Sequence, residues 1–186
     1  MTNPGPNRQA LTPDAVIALD VHGVVINNPL PTFLRDVGDR TGVGGDELLR
    51  RWRANWRRPF WEGSSTEEEM WGALAPARDP ALSRADLEAR YREGPWFDFV
   101  KHHDGPMWLL SNHRSSWLLP RLERFGISDR FDRVLVSDVL GAAKPSPEAF
   151  APLLAGDATG YFDDSPCNIE AARALGVNAH LVAPTG

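Results

Sequence analysis

The chain has 186 residues, 42% of them hydrophobic, and a formal charge of −5, which suits one ordinary domain, or one core with a modest insertion, able to bury its own hydrophobic interior. That charge gives no global field for nucleic acid, so any anionic ligand must be held by local groups. The single cysteine, Cys167, cannot form an internal disulfide, and neither a secretory apolar segment nor a run of membrane-spanning length is present, pointing to a cytoplasmic protein with no nucleic-acid or membrane partner and leaving oligomeric state open.

Residues 1–13, MTNPGPNRQALTP, are polar with three prolines and read as a flexible lead-in. AVIALD, Ala15 to Asp20, is short, apolar and partly β-branched, as expected of a central strand buried on both faces. Residues 28–98 then change texture. ELLRRWRANW, STEEEMWGAL and SRADLEARYRE carry helical apolar spacing, so this stretch reads as a small helical insert dividing a core of residues 14–27 and 99–186. Ser65 and Thr66 before Glu67, Glu68 and Glu69 supply capping-box chemistry. Ser83 before Arg84, Ala85 and Asp86 reads as a second N-cap. From Pro106 onward the apolar pattern alternates: PMWLLS, RVLVS, TGYFDD and NAHLVA as strands, SWLLPRLERFG, PSPEAFAPLLA and SPCNIEAARALG as helices. Pro120 inside the first of these helices predicts a kink or a later start. The alternation predicts a doubly wound, Rossmann-like parallel sheet with an inserted helical cap.

In such a sheet the crevice lies beyond the carboxyl ends of the strands. The first strand delivers Asp20, His22 and Gly23; the second Ser111 and Asn112, with His113 just behind; Lys144 and Pro145 follow the third; the fourth delivers Asp163 and Asp164. If Asp20, Asp163 and Asp164 converge, each pair repels by roughly 4 kcal/mol at an effective dielectric near 20, and a bound cation would remove that cost.

Four segments, ALDVHGVV, WLLSNHR, SDVLGAAKPSPEAF and YFDDSPCNIEAARALGV, resemble in order and spacing the motifs of the haloacid dehalogenase (HAD) superfamily. The texture is similar to the subfamily with a small helical cap after the first strand, which includes sugar-phosphate phosphatases. The resemblance implies a Mg²⁺-dependent hydrolase of a small phosphorylated metabolite, with Asp20 as nucleophile through an aspartyl-phosphate. Its metal ligands would be Asp20, the backbone carbonyl of His22, and Asp164, with Asp163 behind them. Lys144 would offset charge on Asp20 and the phosphoryl group, Ser111 and Asn112 would donate to the phosphoryl oxygens, and Asn168 would hold Lys144 or a metal-bound water.

The family's second aspartate, the general acid and base, is here His22. An imidazole with a pKa near 6.5 suits that work. A slower or substrate-assisted phosphatase, and a binding or regulatory protein without turnover, are the other readings. The metal-independent dehalogenase branch shares the nucleophile, the Ser-Asn pair and the lysine but lacks the acidic metal ligand in its fourth motif, whereas this chain keeps Asp163 and Asp164. His113 is expected to touch substrate, His102 and His103 to form a surface turn, and Cys167 to be structural. Trp52, Trp56, Trp61, Trp71 and Trp96, interleaved with Arg50, Arg51, Arg53, Arg57 and Arg58, are read as cap packing with a solvated basic face, the alternative being direct substrate contact.

Overall fold

AVIALD forms the middle of the sheet because it is apolar on both sides. In the computed structural model, which describes residues 15–76, 80–156 and 158–183, β1 is Ile17–Leu19 and all three of its side chains are buried. The sheet adds β2 (Met107–Ser111), β3 (Arg133–Val136), β4 (Gly160–Asp163) and β5 (Ala179–Leu181) in the order β3-β2-β1-β4-β5, every pairing parallel. The chain winds outward from β1 to β3, then crosses back to β4 and β5. This reversal beside β1 opens a crevice above the ends of β1 and β4. The lead-in of residues 1–13 lies outside the described residues.

Side-chain alternation divides the interior between the two faces of the sheet. Ala18, Trp108, Leu110 and Tyr161 pack with Phe150, Leu153 and Ile169. Ile17, Leu19, Met107 and Leu109 join a larger cluster that continues without a break into the residues between β1 and β2. Those residues form α1 (Leu30–Arg40), α2 (Gly45–Arg51), a π-helical stretch (Trp52–Trp56), α3 (Arg57–Trp61), α4 (Glu67–Leu74) and α5 (Pro80–Glu88). Trp52, Phe60, Trp61, Met70 and Trp71 are their buried anchors. The ends of the insert are zipped together. Asn27 N donates to Arg92 O at 3.0 Å, Gly94 N to Val25 O at 2.8 Å and Trp96 N to Val24 O at 3.0 Å. A Cβ on Gly94 would stand 2.7 Å from the Val25 carbonyl carbon, so this neck closes only over a glycine.

The Thr66 capping box forms as its spacing predicts: Glu69 N donates to Thr66 Oγ1 at 3.1 Å and Thr66 N to Glu69 Oε2 at 2.8 Å. Ser83 does not cap. α5 already begins at Pro80, and Ser83 lies buried inside it with its hydroxyl unpartnered. Proline at a helix start is preorganised and lacks only an N–H the helix would not use, so it overrides the later serine. The later helices are α6 (Phe97–His102), α7 (Ser115–Arg124), α8 (Ser137–Leu140), α9 (Pro147–Ala155) and α10 (Pro166–Ala174). α7 does not start late at Pro120. Asp138 Oδ2 accepts from both Ser115 N and Ser115 Oγ at 2.9 Å, holding the first turn. The Ser116 carbonyl, which Pro120 cannot serve, accepts instead from Arg84 Nη2 at 2.7 Å. Among the described residues, no helix is long and apolar enough to cross a membrane.

Candidate functional site

Lys144 organises the floor of the crevice. Its Nζ donates to Asp20 Oδ1 at 2.6 Å, Asp163 Oδ2 at 2.8 Å, Leu110 O at 2.8 Å and Tyr161 Oη at 2.9 Å. These contacts join three adjacent strands through one buried ammonium. Its backbone is clamped as well: Asn112 Nδ2 donates to Lys144 O, and Lys144 N to Asn112 Oδ1, both at 2.7 Å. The loop before Pro145, whose peptide bond to Lys144 is cis, is therefore held by the strand end beside it.

Asp163 is fully engaged by protein. Its Oδ1 accepts from Ser165 N at 2.7 Å, and its Oδ2 from Lys144, from Asn168 Nδ2 at 2.9 Å and from the Tyr161 hydroxyl. Burial pushes its carboxyl up, but the charge and hydrogen bonds of Lys144 outweigh that and hold it below the ordinary carboxylate range. Asp20 and Asp164 are different. Asp20 is pushed up to about 7, first by burial, then by Asp163 and Asp164 against the opposing pull of Lys144. Asp164 is raised by burial and by Asp163. Among the described residues, Asp20 Oδ2 receives no protein hydrogen bond.

One oxygen from each of Asp20, Asp163 and Asp164 lies within 4.8 Å of the others. Repulsion at that spacing is about 3.5 kcal/mol per ionised pair at an effective dielectric near 20, and the single ammonium answers only part of it. The donor set, hard carboxylate oxygens in excess of their cation, fits Mg²⁺. Gly23 makes room for it. Its φ of +99° and an ideal Cβ only 2.0 Å from Asp164 Oδ2 mean that Asp164 reaches the site across a position no side chain could occupy.

The other wall of the crevice is built from rings. Trp61 stacks on His113 at 4.5 Å, His113 stacks on His22 at 4.5 Å, and Tyr91 tilts against His22 at 5.5 Å. Arg121, fully buried on α7, serves His22, His113 and Tyr91 together. Its Nη1 donates to His22 Nε2 at 2.7 Å and to His113 Nε2 at 3.2 Å, its Cζ lies 3.5 Å from the Tyr91 ring centroid, and Nε and Nη2 grip the Glu88 carboxylate from α5. His113 Nδ1 donates to Arg114 O at 3.1 Å. Burial first, then for His22 its interaction with His113 and with Arg121, and for His113 its interaction with Arg121, holds both imidazoles well below their ordinary pKa. Both rings are neutral acceptors at Nε2.

Of the residues expected at the site, Asp20, His22, Asn112, His113, Lys144, Asp163, Asp164 and Asn168 line one crevice of about 230 Å³. Several are engaged otherwise than their motifs suggest. The premise for His22 as acid and base, a ring near its ordinary pKa, does not hold, because Arg121 already donates to the nitrogen that would take a proton. His113 has both ring nitrogens committed to protein. Asn112 holds the Lys144 backbone, and Asn168 holds Asp163 rather than Lys144. Lys144 has more protein acceptors than N–H donors, so its part toward a bound anion is its charge. Ser111 is buried at the end of β2 with its hydroxyl unpartnered. Cys167 is exposed rather than structural.

Sequence reasoning missed Tyr161, Arg121 and Glu88. Tyr161 had a signal, since it stands two residues before Asp163 and shares its side of β4. Arg121 had one too, falling on the face of α7 that carries Trp117, Leu118 and Leu122. Trp52, Trp61, Arg53 and Arg57 also line the crevice. The tryptophans pack as expected, but these two arginines are not on a remote solvated face.

No protein-family profile matches the chain, and no curated protein matches it in sequence. Solved structures do match. A HAD family enzyme of Bacteroides thetaiotaomicron is similar with a TM-score of 0.73 at 18% identity, over 94% of this chain and 96% of that one. Its complex with magnesium and inorganic phosphate is similar with a TM-score of 0.71 at 19% identity, over 93% and 96%. L-2-haloacid dehalogenase of Xanthobacter autotrophicus with chloropropionic acid covalently bound is similar with a TM-score of 0.64 at 16% identity, over 93% and 79%. At these identities the likeness is one of fold.

Proposed function

We propose that this chain is a HAD superfamily hydrolase that uses Mg²⁺ to cleave a small phosphomonoester through an aspartyl-phosphate on Asp20. The observation that carries the reading is the trio of Asp20, Asp163 and Asp164 with, among the described residues, only Lys144 paired to it. Asp20, Asp164 and the backbone carbonyl of His22 would hold the ion, which when bound neutralises developing charge on the phosphoryl oxygens.

Asp20 attacks phosphorus with a carboxylate oxygen, and the bond to the ester oxygen breaks. The leaving alkoxide takes a proton, and water then attacks phosphorus to release phosphate and restore the carboxylate. Lys144 fixes the Asp20 rotamer through Oδ1, leaving Oδ2 without a donor among the described residues. Asp163, Asn168 and Tyr161 fix Lys144 in turn, and the idle Ser111 hydroxyl is a donor for an oxygen that protein does not supply. His22, a neutral ring tied to Arg121, shapes the leaving-group side without shuttling protons, which then pass through water or substrate.

That last feature favours a second reading, a slow or silent module that binds phosphate esters without useful turnover. The metal-free dehalogenase reading is weaker, since Asp164 stands beside Asp20. A panel of phosphate esters with Mg²⁺ separates them. Phosphate release abolished by Asp20→Asn supports the hydrolase; no release across a broad panel at several pH values supports the silent module. Halide release from haloacids without metal would overturn the phosphatase reading.

A further inference from the structure

The arginines around the π-helical stretch divide by partner. Arg50 and Arg51 are paired with Glu47, and Arg58 with Glu62. Arg53 and Arg57 have no carboxylate partner among the described residues, and of the five these are the two that line the crevice. Two unpaired cations four residues apart on a helix repel each other, so the arrangement weakens the helix unless an anion joins them. A π-helical turn, a form frequent at functional sites, is what carries the chain from one to the other.

A second cavity of about 450 Å³ shares the wall formed by Arg53, Arg57, Trp61 and Lys144. It does not include Asp20 or Asp164. Arg53, Arg57, Arg58 and Lys144 are among its lining residues, and among the described residues no carboxylate is. The inner chamber thus holds the three carboxylates and is suited to a cation with a phosphoryl group, whereas the outer chamber carries cations alone. Guanidinium forks match carboxylate and phosphate oxygens in pairs, and their planar faces suit the Trp61 ring beside them.

We propose that Arg53 and Arg57 bind a second anionic group of the substrate, a carboxylate or a phosphate, remote from the phosphoryl group that Asp20 attacks. The inference rests on the phosphomonoester reading and narrows it to doubly acidic substrates. Three compounds with one carbon skeleton test it with Mg²⁺: glycerol 3-phosphate, 3-phosphoglycerate and propane-1,3-diol bisphosphate. One or both of the latter two should exceed glycerol 3-phosphate in kcat/KM by roughly tenfold or more, and the winner distinguishes carboxylate from phosphate. The double variant Arg53→Gln with Arg57→Gln should bring that ratio to about one, whereas Arg50→Gln, whose partner is Glu47, should keep it. Calorimetric titration of the same compounds onto Asp20→Asn protein with Mg²⁺ reads the preference without turnover. Preferential binding without phosphate release from the parent protein would sink the hydrolase reading and leave the anion site standing. Release or binding with no preference, or a preference that survives the double variant, would overturn the anion site; no binding at all would overturn both.

Discussion

Both walls of the crevice carry titratable side chains around a single cation, but in opposite condition. On the β4 side, Asp20 and Asp164 sit beside one ammonium with protonation raised by burial and by neighbouring carboxylates, Asp163 above all, so this wall lacks positive charge. On the α7 side, His22 and His113 sit beside a guanidinium that donates to both, so their basicity is suppressed and their acceptors are occupied. A titratable side chain near a crevice is therefore not by itself a participant in chemistry. What separates the walls is whether neighbouring protein groups have already met the needs of the side chain.

The sharpest break of this comparison is Lys144→Met. It leaves Asp163 buried without its cation, which should cost about 3 to 5 kcal/mol of folding stability in denaturant titrations, as well as activity. A loss below 1 kcal/mol would mean that Asn168, Tyr161 and Ser165 suffice, and that the lysine is not the keystone of the acidic wall. For the ring wall, the proposed mechanism routes no proton through His22, so His22→Ala should lower kcat by less than about tenfold. A loss of 10² to 10⁴, the usual range for a general acid or base, would restore the proton-shuttling role.

The pH dependence of Mg²⁺ binding follows from the raised Asp20 pKa. Without the ion, Asp20 is protonated below about 7, so the ion must displace a proton there and none above. Affinity measured by calorimetry should rise about tenfold per pH unit up to pH 7 and level off beyond it, and Asp20→Asn should flatten the profile. The stability of the ion-free protein has the opposite slope, because a carboxyl whose pKa is raised by folding disfavours the folded state as it ionises, so stability falls as pH climbs from about 4 to 7. The smallest effect belongs to Ser111→Ala. Its hydroxyl has no partner to lose, so melting should be unchanged or slightly raised, while inorganic phosphate should bind severalfold more weakly. A melting temperature several degrees lower would show that the hydroxyl serves the fold instead.

Much of the architecture was legible in the chain. AVIALD, PMWLLS and TGYFDD are short and apolar on both faces, which leaves little for them to be except buried parallel strands, and polar residues directly after each must gather at one edge of the sheet. The Thr66 box was readable because its bonds span only three residues. Ser83 misled because local capping chemistry was outweighed by Pro80, and Pro120 does not delay the start of α7 because Arg84, 36 residues earlier in the chain, serves the carbonyl that Pro120 leaves open.

What sequence alone determined is the composition of the strand ends: Asp20, Asn112, Lys144, Asp163 and Asp164 come together because parallel pairing carries each strand's end to the same edge. What tertiary structure alone decided is the state of each group once there. The pairing of Arg121 with His22 spans 99 residues, and that of Arg121 with Glu88 joins α7 to α5. Such contacts depend on how helices lie over a sheet, and they determine which nitrogen is occupied, which carboxylate lacks a cation and which arginines face the crevice. Motif spacing is a local property of the chain, whereas hydrogen-bond satisfaction is a property of everything within a few ångströms.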